Sequence, residues 1–169
     1  MKALAAFALV VPLLLPAVAA ANAASRSHRS EQLHYAISFP ATWTPLHVRG
    51  ADFARVAPDR NGFLSVSVTN GVLTTNNRTH AVKYSFGSFG RPVKPPEIEQ
   101  VPVPGTTGTQ ATATVTTPAG RFSTVCVFLA TYKLRIYTVI GVVRDINAPG
   151  AQFDVAAVLT MIRSTAFFP

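Results

Sequence analysis

Two apolar stretches, Arg121 to Ala130 and Arg135 to Val143, constrain this chain more than any other feature. Side chains alternate between the two faces of a strand, so a half-exposed strand reads apolar, polar, apolar. These two stretches are apolar at both parities, as expected of strands covered above and below. Thr131 to Leu134 joins them as a hairpin, so they form the centre of an antiparallel sheet. The rest of the chain must supply flanking strands and cover for two faces.

One covering element is legible. Gln152 to Arg163 carries Val155, Val158, Leu159 and Ile162 at the i, i+3, i+4, i+7 spacing of a helix face. It follows a break, Asp145-Ile146-Asn147-Ala148-Pro149-Gly150, with helix-start residues. The second layer is open: either a short helix lies within Gly71 to Lys83, or the sheet curls on itself. Leu33, Tyr35, Ile37 and Phe39 alternate with His34, Ala36 and Ser38, giving a first strand that Pro40 ends. Ala51 to Ala57 and Phe63 to Thr69 are two further strands around the turn Pro58-Asp59-Arg60-Asn61-Gly62. Ala111, Ala113 and Val115 alternate with threonines in another. Val82 to Phe89 carries a strand-like pattern. Its Phe86-Gly87-Ser88-Phe89-Gly90 end is either a sticky tip or an aromatic pair packed under its own loop. Pro92, Pro95, Pro96, Pro102 and Pro104 confine Arg91 to Gly105 to extended chain or an edge. The sum is an α+β domain: a single antiparallel sheet of about six strands with a C-terminal helix packed on it. Phe39 and Trp43, on either side of the Pro40 turn, are expected to anchor one end of its core.

Residues 1–23 read as a signal peptide. Met1-Lys2 is a basic start, Ala3 to Val18 is apolar, and small residues follow from Ala17 to Ala24. Ala21-Asn22-Ala23 suits signal peptidase and gives a mature start at Ala24; Ala19-Ala20-Ala21 is the alternative. A membrane span needs roughly 20 strongly apolar residues; this run is short, Ala-rich and broken by Pro12 and Pro16. No Cys near the cleavage site offers a lipid attachment point. Residues 24–32, polar and rich in Ser and Arg, read as a disordered leader, and 33–169 as a single α+β domain. The expectation is an exported protein, periplasmic or extracellular, that is not an integral membrane protein after cleavage.

Loss of Lys2 from 15 basic side chains leaves 14 against 7 acidic ones, a net charge of +7. Such a field favours anionic surfaces. The basic residues are scattered, with no dense run and no nucleic-acid motif, so no nucleic-acid partner is expected.

Two segments carry a resemblance. The first is Tyr35-Ala36-Ile37-Ser38-Phe39-Pro40-Ala41-Thr42-Trp43, a strand, then Pro, then Trp after a short turn. The second is the closing strand, Pro-containing break and helix, from Ile136-Tyr137 through Phe153 and Leu159 to Ser164. Together they resemble the PsbP-like superfamily, whose namesake is an extrinsic subunit of photosystem II and whose bacterial relatives are often exported or lipid-anchored. The resemblance implies an antiparallel sheet flanked by helices, acting as a binding or assembly module. This chain departs from it in lacking a lipid-attachment Cys and in its Pro-heavy middle, Asn70 to Pro104.

The residues themselves offer little chemistry. Cys126 is the single cysteine and lies in an apolar strand. His28, His34, His47 and His80 are not paired at metal-ligand spacing. Glu97 and Glu99 form the one acidic cluster, and there is no Gly-x-Ser-x-Gly. No catalytic, cofactor or metal residue is therefore assigned. The expected function is a non-catalytic exported module docking on an envelope protein complex or anionic surface through Arg55, Arg60, Arg78 and Lys83. The alternative is a carrier of a small apolar or amphiphilic ligand, with Phe86/Phe89 and Phe167/Phe168 lining its pocket. A secreted hydrolase stands third.

Overall fold

A computed structural model describes residues 24–169; the expected signal peptide, residues 1–23, lies outside the described residues. In chain order the elements are β1 (Ser25–Ser30), β2 (Tyr35–Pro40), β3 (Thr44–Pro45), β4 (Phe53–Val56), β5 (Gly62–Asn70), α1 (Thr75–Gly87), β6 (Arg91–Pro92), β7 (Glu97–Val103), β8 (Thr106–Thr116), β9 (Phe122–Tyr132), β10 (Arg135–Val143), α2 (Ala151–Arg163) and β11 (Ala166–Phe167). The expected central hairpin is β9–β10. Its turn residues Lys133 and Leu134 sit at φ 47° and 58°, the left-handed pair that matches strand twist in a two-residue turn.

The large sheet runs β3-β4-β5-β10-β9-β8-β6, with β7 also paired to β8. Every pairing is antiparallel. On one face Cys126, Phe128 and Ala130 of β9 and Tyr137, Val139 and Val143 of β10 pack under Val158, Met161 and Ile162 of α2. Tyr35, Ile37 and Phe39 of β2 and Phe167 join the same cluster. On the other face Val125, Val127 and Leu129 of β9 and Val142 of β10 pack with Ala111, Ala113 and Val115 of β8, under Val82 and Phe86 of α1.

Four expectations need correction. The sheet is not single: β2 leaves the large sheet and forms a second, three-stranded one in the order β1-β2-β11. The large sheet has eight strands rather than six, because β3 and β6 are two residues long and carry no periodic signal. The segment 24–32 is not a disordered leader: β1 pairs with β2 along its whole length, from Ser25↔Pro40 to Ser30↔Tyr35. Backbone pairing holds it, together with the His28 ring on Phe53 at 4.6 Å and the Arg29 guanidinium over the Phe168 ring at 3.6 Å; none of these leaves a hydrophobic period. Finally, Val82 to Phe89 is not strand. It belongs largely to α1, the missing second layer, which Thr74 caps by accepting from the Asn77 N–H at 3.3 Å.

Close approach fixes how α2 seats. A Cβ at Gly141 would lie 2.1 Å from Val158 Cγ1, so β10 needs glycine where the helix crosses it. Gly141→Ala should destabilise by about 1–3 kcal/mol through overpacking, whereas Gly87→Ala, with open space around it, should be neutral or stabilising by up to about 1 kcal/mol. Urea midpoints compare the two; equal shifts would show that Gly141 does not set the contact. Trp43 is 6% exposed and belongs to the α2-side core. Trp43→Ala should cost about 3–5 kcal/mol by the same measurement, and an unchanged midpoint would mean the indole contributes nothing to the core.

Candidate basic interface

Antiparallel order places the starts of β5 and β9 and the ends of β8 and β10 at one end of the large sheet. Each of these termini carries an arginine or adjoins one. Arg60 lies in the turn before β5, in the left-handed conformation (φ 62°). Arg91 of β6 pairs with Thr116. Arg121 directly precedes β9, and Arg144 directly follows β10. All four are exposed.

Their backbones are held. The Arg121 N–H donates to Thr117 Oγ1 at 3.2 Å and its carbonyl accepts from the Thr117 N–H at 2.8 Å. The Arg144 N–H donates to the Asn61 carbonyl at 2.9 Å, and its own carbonyl accepts from Ser123 Oγ at 2.6 Å. Asn61 also clamps Asp145, donating from Nδ2 to its carbonyl at 3.0 Å and accepting from its N–H at 2.9 Å. The Arg144 guanidinium lies 5.4 Å from the Phe63 ring centroid, within cation–π range. Between these residues is a cleft of about 320 Å³ lined by Phe63, Phe89, Ser123, Val142 and the two arginines 121 and 144, with Thr117 and Ala119 at its rim.

Three carboxylates share this end: Asp59 precedes Arg60, Asp145 follows Arg144, and Asp154 of α2 lies against Gly62 at the start of β5. The Asp154 carboxyl is pushed above the ordinary carboxylate value by burial first and then by repulsion from Asp59. The Asp145 carboxylate accepts from the Asn147 N–H at 2.9 Å. Among the described residues Arg29–Glu31 is an ion pair, and the His28 ring lies 3.5 Å from the Asp52 carboxylate. Arg60, Arg91, Arg121 and Arg144 are without a carboxylate partner among those residues.

The residues expected to form a partner surface lie in separate places. Arg55, on β4, stacks over Phe53 and Phe39 at 4.5 and 4.8 Å, and burial lowers its pKa. Arg78 sits in the first turns of α1 and donates to the Thr107 carbonyl at 2.9 Å, at the opposite end of β8. Lys83 is exposed on α1. Arg60 lies at the basic sheet end, and Arg55, paired with Leu64, stands on the same hairpin with its side chain against Phe53 and Phe39. Phe39 and Trp43 are buried in the α2-side core. Arg91, Arg121 and Arg144 are not among the residues expected from sequence; the one signal for Arg121 and Arg144 is their position directly abutting the two central strands.

Of the groups weighed for chemistry, Cys126, His28 and Glu99 are buried or have side-chain partners, whereas His47, His80 and Glu97 are exposed. Cys126 is 1% exposed, and burial raises its thiol pKa. Tyr35 donates to Asp52 Oδ2 at 2.6 Å, and burial, reinforced by that carboxylate, raises the phenol pKa. His28 Nε2 lies 3.5 Å from the same oxygen. Glu99 accepts from Gln110 Nε2 at 3.0 Å within the β7–β8 pair. Phe86 and Phe167 are core residues, so the expected pocket between the two Phe pairs is not formed; of the four, Phe89 alone reaches the cleft. Among the described residues no three His, Cys, Asp or Glu side chains converge to hold a metal, and no helix is long and apolar enough to cross a membrane.

No family model and no curated protein matches the sequence. Solved structures do. Cyanobacterial PsbP (CyanoP) from Synechocystis sp. PCC 6803 aligns with a TM-score of 0.60 at 12% identity, over 89% of this chain and 96% of that one. LpqN, involved in cell envelope biogenesis of Mycobacterium tuberculosis, aligns at 0.55 and 10% identity, over 86% and 92%. A Bacteroides thetaiotaomicron protein aligns at 0.55 and 11% identity over 85% of this chain, which spans 48% of that chain's length. At such identities the likeness is one of fold: two helices and two antiparallel sheets arranged as in PsbP, so this chain has the PsbP-like fold.

Proposed function

We propose that this chain is an exported, non-catalytic binding module that docks on an anionic surface of the cell envelope through the basic end of its large sheet. One observation carries the reading: four exposed arginines at that end, on backbones held by hydrogen bonds, with no carboxylate partner among the described residues. An arginine fork left unpaired on a fixed backbone is prepared for carboxylate or phosphate. The signal-like residues 1–23 supply the export part of the proposal. Its fold neighbours lend support by kind: LpqN is involved in cell envelope biogenesis, although fold alone does not carry function.

Co-sedimentation of the purified protein with envelope fragments of its source organism tests this. Between 0.1 M and 1 M salt the screening length falls from about 10 Å to about 3 Å. The bound fraction should fall about tenfold over that range. The Arg60→Glu/Arg121→Glu/Arg144→Glu variant should bind at 0.1 M as weakly as wild type does at 1 M. Binding that is equal at both salts, or unchanged in a folded variant, would refute electrostatic docking at this end.

A further inference from the structure

We infer that the cleft between Phe63 and Phe89 is a binding site for a single-chain aliphatic carboxylate, with the chain against the aromatic walls and the head group between Arg121 and Arg144. The inference shares the basic sheet end with the docking reading but does not require docking.

The lining divides by chemistry. Val142 is 4% exposed and forms the floor, with Phe63 and Phe89 half-buried beside it. The one hydroxyl deep in the cleft, Ser123 Oγ, already donates to the Arg144 carbonyl at 2.6 Å, so the floor offers no free donor for a polar ligand. No acidic side chain lines the cleft. The charged residues of the lining, Arg121 and Arg144, are exposed, and neither has a carboxylate partner among the described residues. An apolar bed beneath unpaired guanidinium groups complements one chemistry: an apolar tail with a compact planar anion, which the arginine fork accepts through two parallel hydrogen bonds. The volume of about 320 Å³ lies at the small end of ligand pockets. That matches the size of one chain.

The site also explains two features the fold leaves idle. Phe89 lies beyond the end of α1 and belongs to the periphery of the α1-side core rather than its interior. Phe63 is the large apolar residue of β5 that faces α1 rather than α2, yet α1 packs on β8, β9 and β6. Both rings therefore keep apolar surface available at the same end of the sheet.

Titration of the full mature protein with sodium decanoate, below its micelle concentration and followed by amide chemical shifts, tests the site. Shifts should concentrate at Phe63, Phe89, Ser123, Val142 and Arg144. Arg121→Gln/Arg144→Gln should weaken binding about tenfold or more. Decanol with the wild-type protein should be weaker by a similar factor, and butyrate should show no saturable binding. Wild-type protein that gives no saturable shifts with decanoate, or that binds decanol as well as decanoate, would overturn the inference. The titration contains no envelope and the sedimentation contains no decanoate, so each reading can fail without the other.

Discussion

The β9–β10 hairpin, buried on both faces, is the interaction on which the rest of the structure depends. Each of its strands has a hydrogen-bonded neighbour on both sides: β5 and β9 flank β10, and β10 and β8 flank β9. With Phe128 and Val139 pointing to one face and Val127 and Val142 to the other, no covering layer is optional. Losing α1 would expose Val125, Val127 and Leu129; losing α2 would expose the opposite row. The buried tyrosines are satisfied locally, Tyr35 by Asp52 and Tyr137 by the Leu33 carbonyl at 2.6 Å, so the small sheet is tied to the large one by polar contacts as well as by packing.

That same hairpin positions the basic end. A strand flanked on both sides and covered above and below has little freedom, so a residue placed directly at its terminus inherits a fixed position. Arg121 and Arg144 stand at the entry of β9 and the exit of β10, and Asn61 and Thr117 hold their backbones. α1 covers only part of its face, packing on β8, β9 and β6, which leaves Phe63 of β5 beside an open cleft instead of beneath a helix. The proposed site thus lies at a strand end where the cover stops, a general habit of rigid scaffolds that carry sites on their rims.

Much of this was legible before the structure. The both-face apolar pattern identified β9 and β10, helical spacing identified α2, and the Phe39-Pro40-Trp43 turn with the closing strand and helix carried the likeness to PsbP. The failures share a cause. α1 buries only Val82 and Phe86, too few positions for a helical period to stand out. β1 has no apolar face at all and is held by backbone pairing, the His28–Phe53 stack and the Arg29–Phe168 contact. β3 and β6 are too short to leave any pattern. Arg121 and Arg144 were visible as residues but not as neighbours, because their place on one cleft depends on strand order; Arg55 and Arg60 share the β4–β5 hairpin and Arg78 and Lys83 share α1, so the four expected residues fall in two places.

Native-state hydrogen exchange tests the central claim most directly. If the hairpin is the doubly covered spine, amides of Val125 to Leu129 and Val139 to Val142 exchange only through global unfolding, with one common opening free energy equal to that from denaturant. Amides of β7, paired on one edge only, exchange by smaller local openings. Exchange of the β9 and β10 amides as fast as those of β7 would contradict the account, and would mean that neither helix seals the face assigned to it.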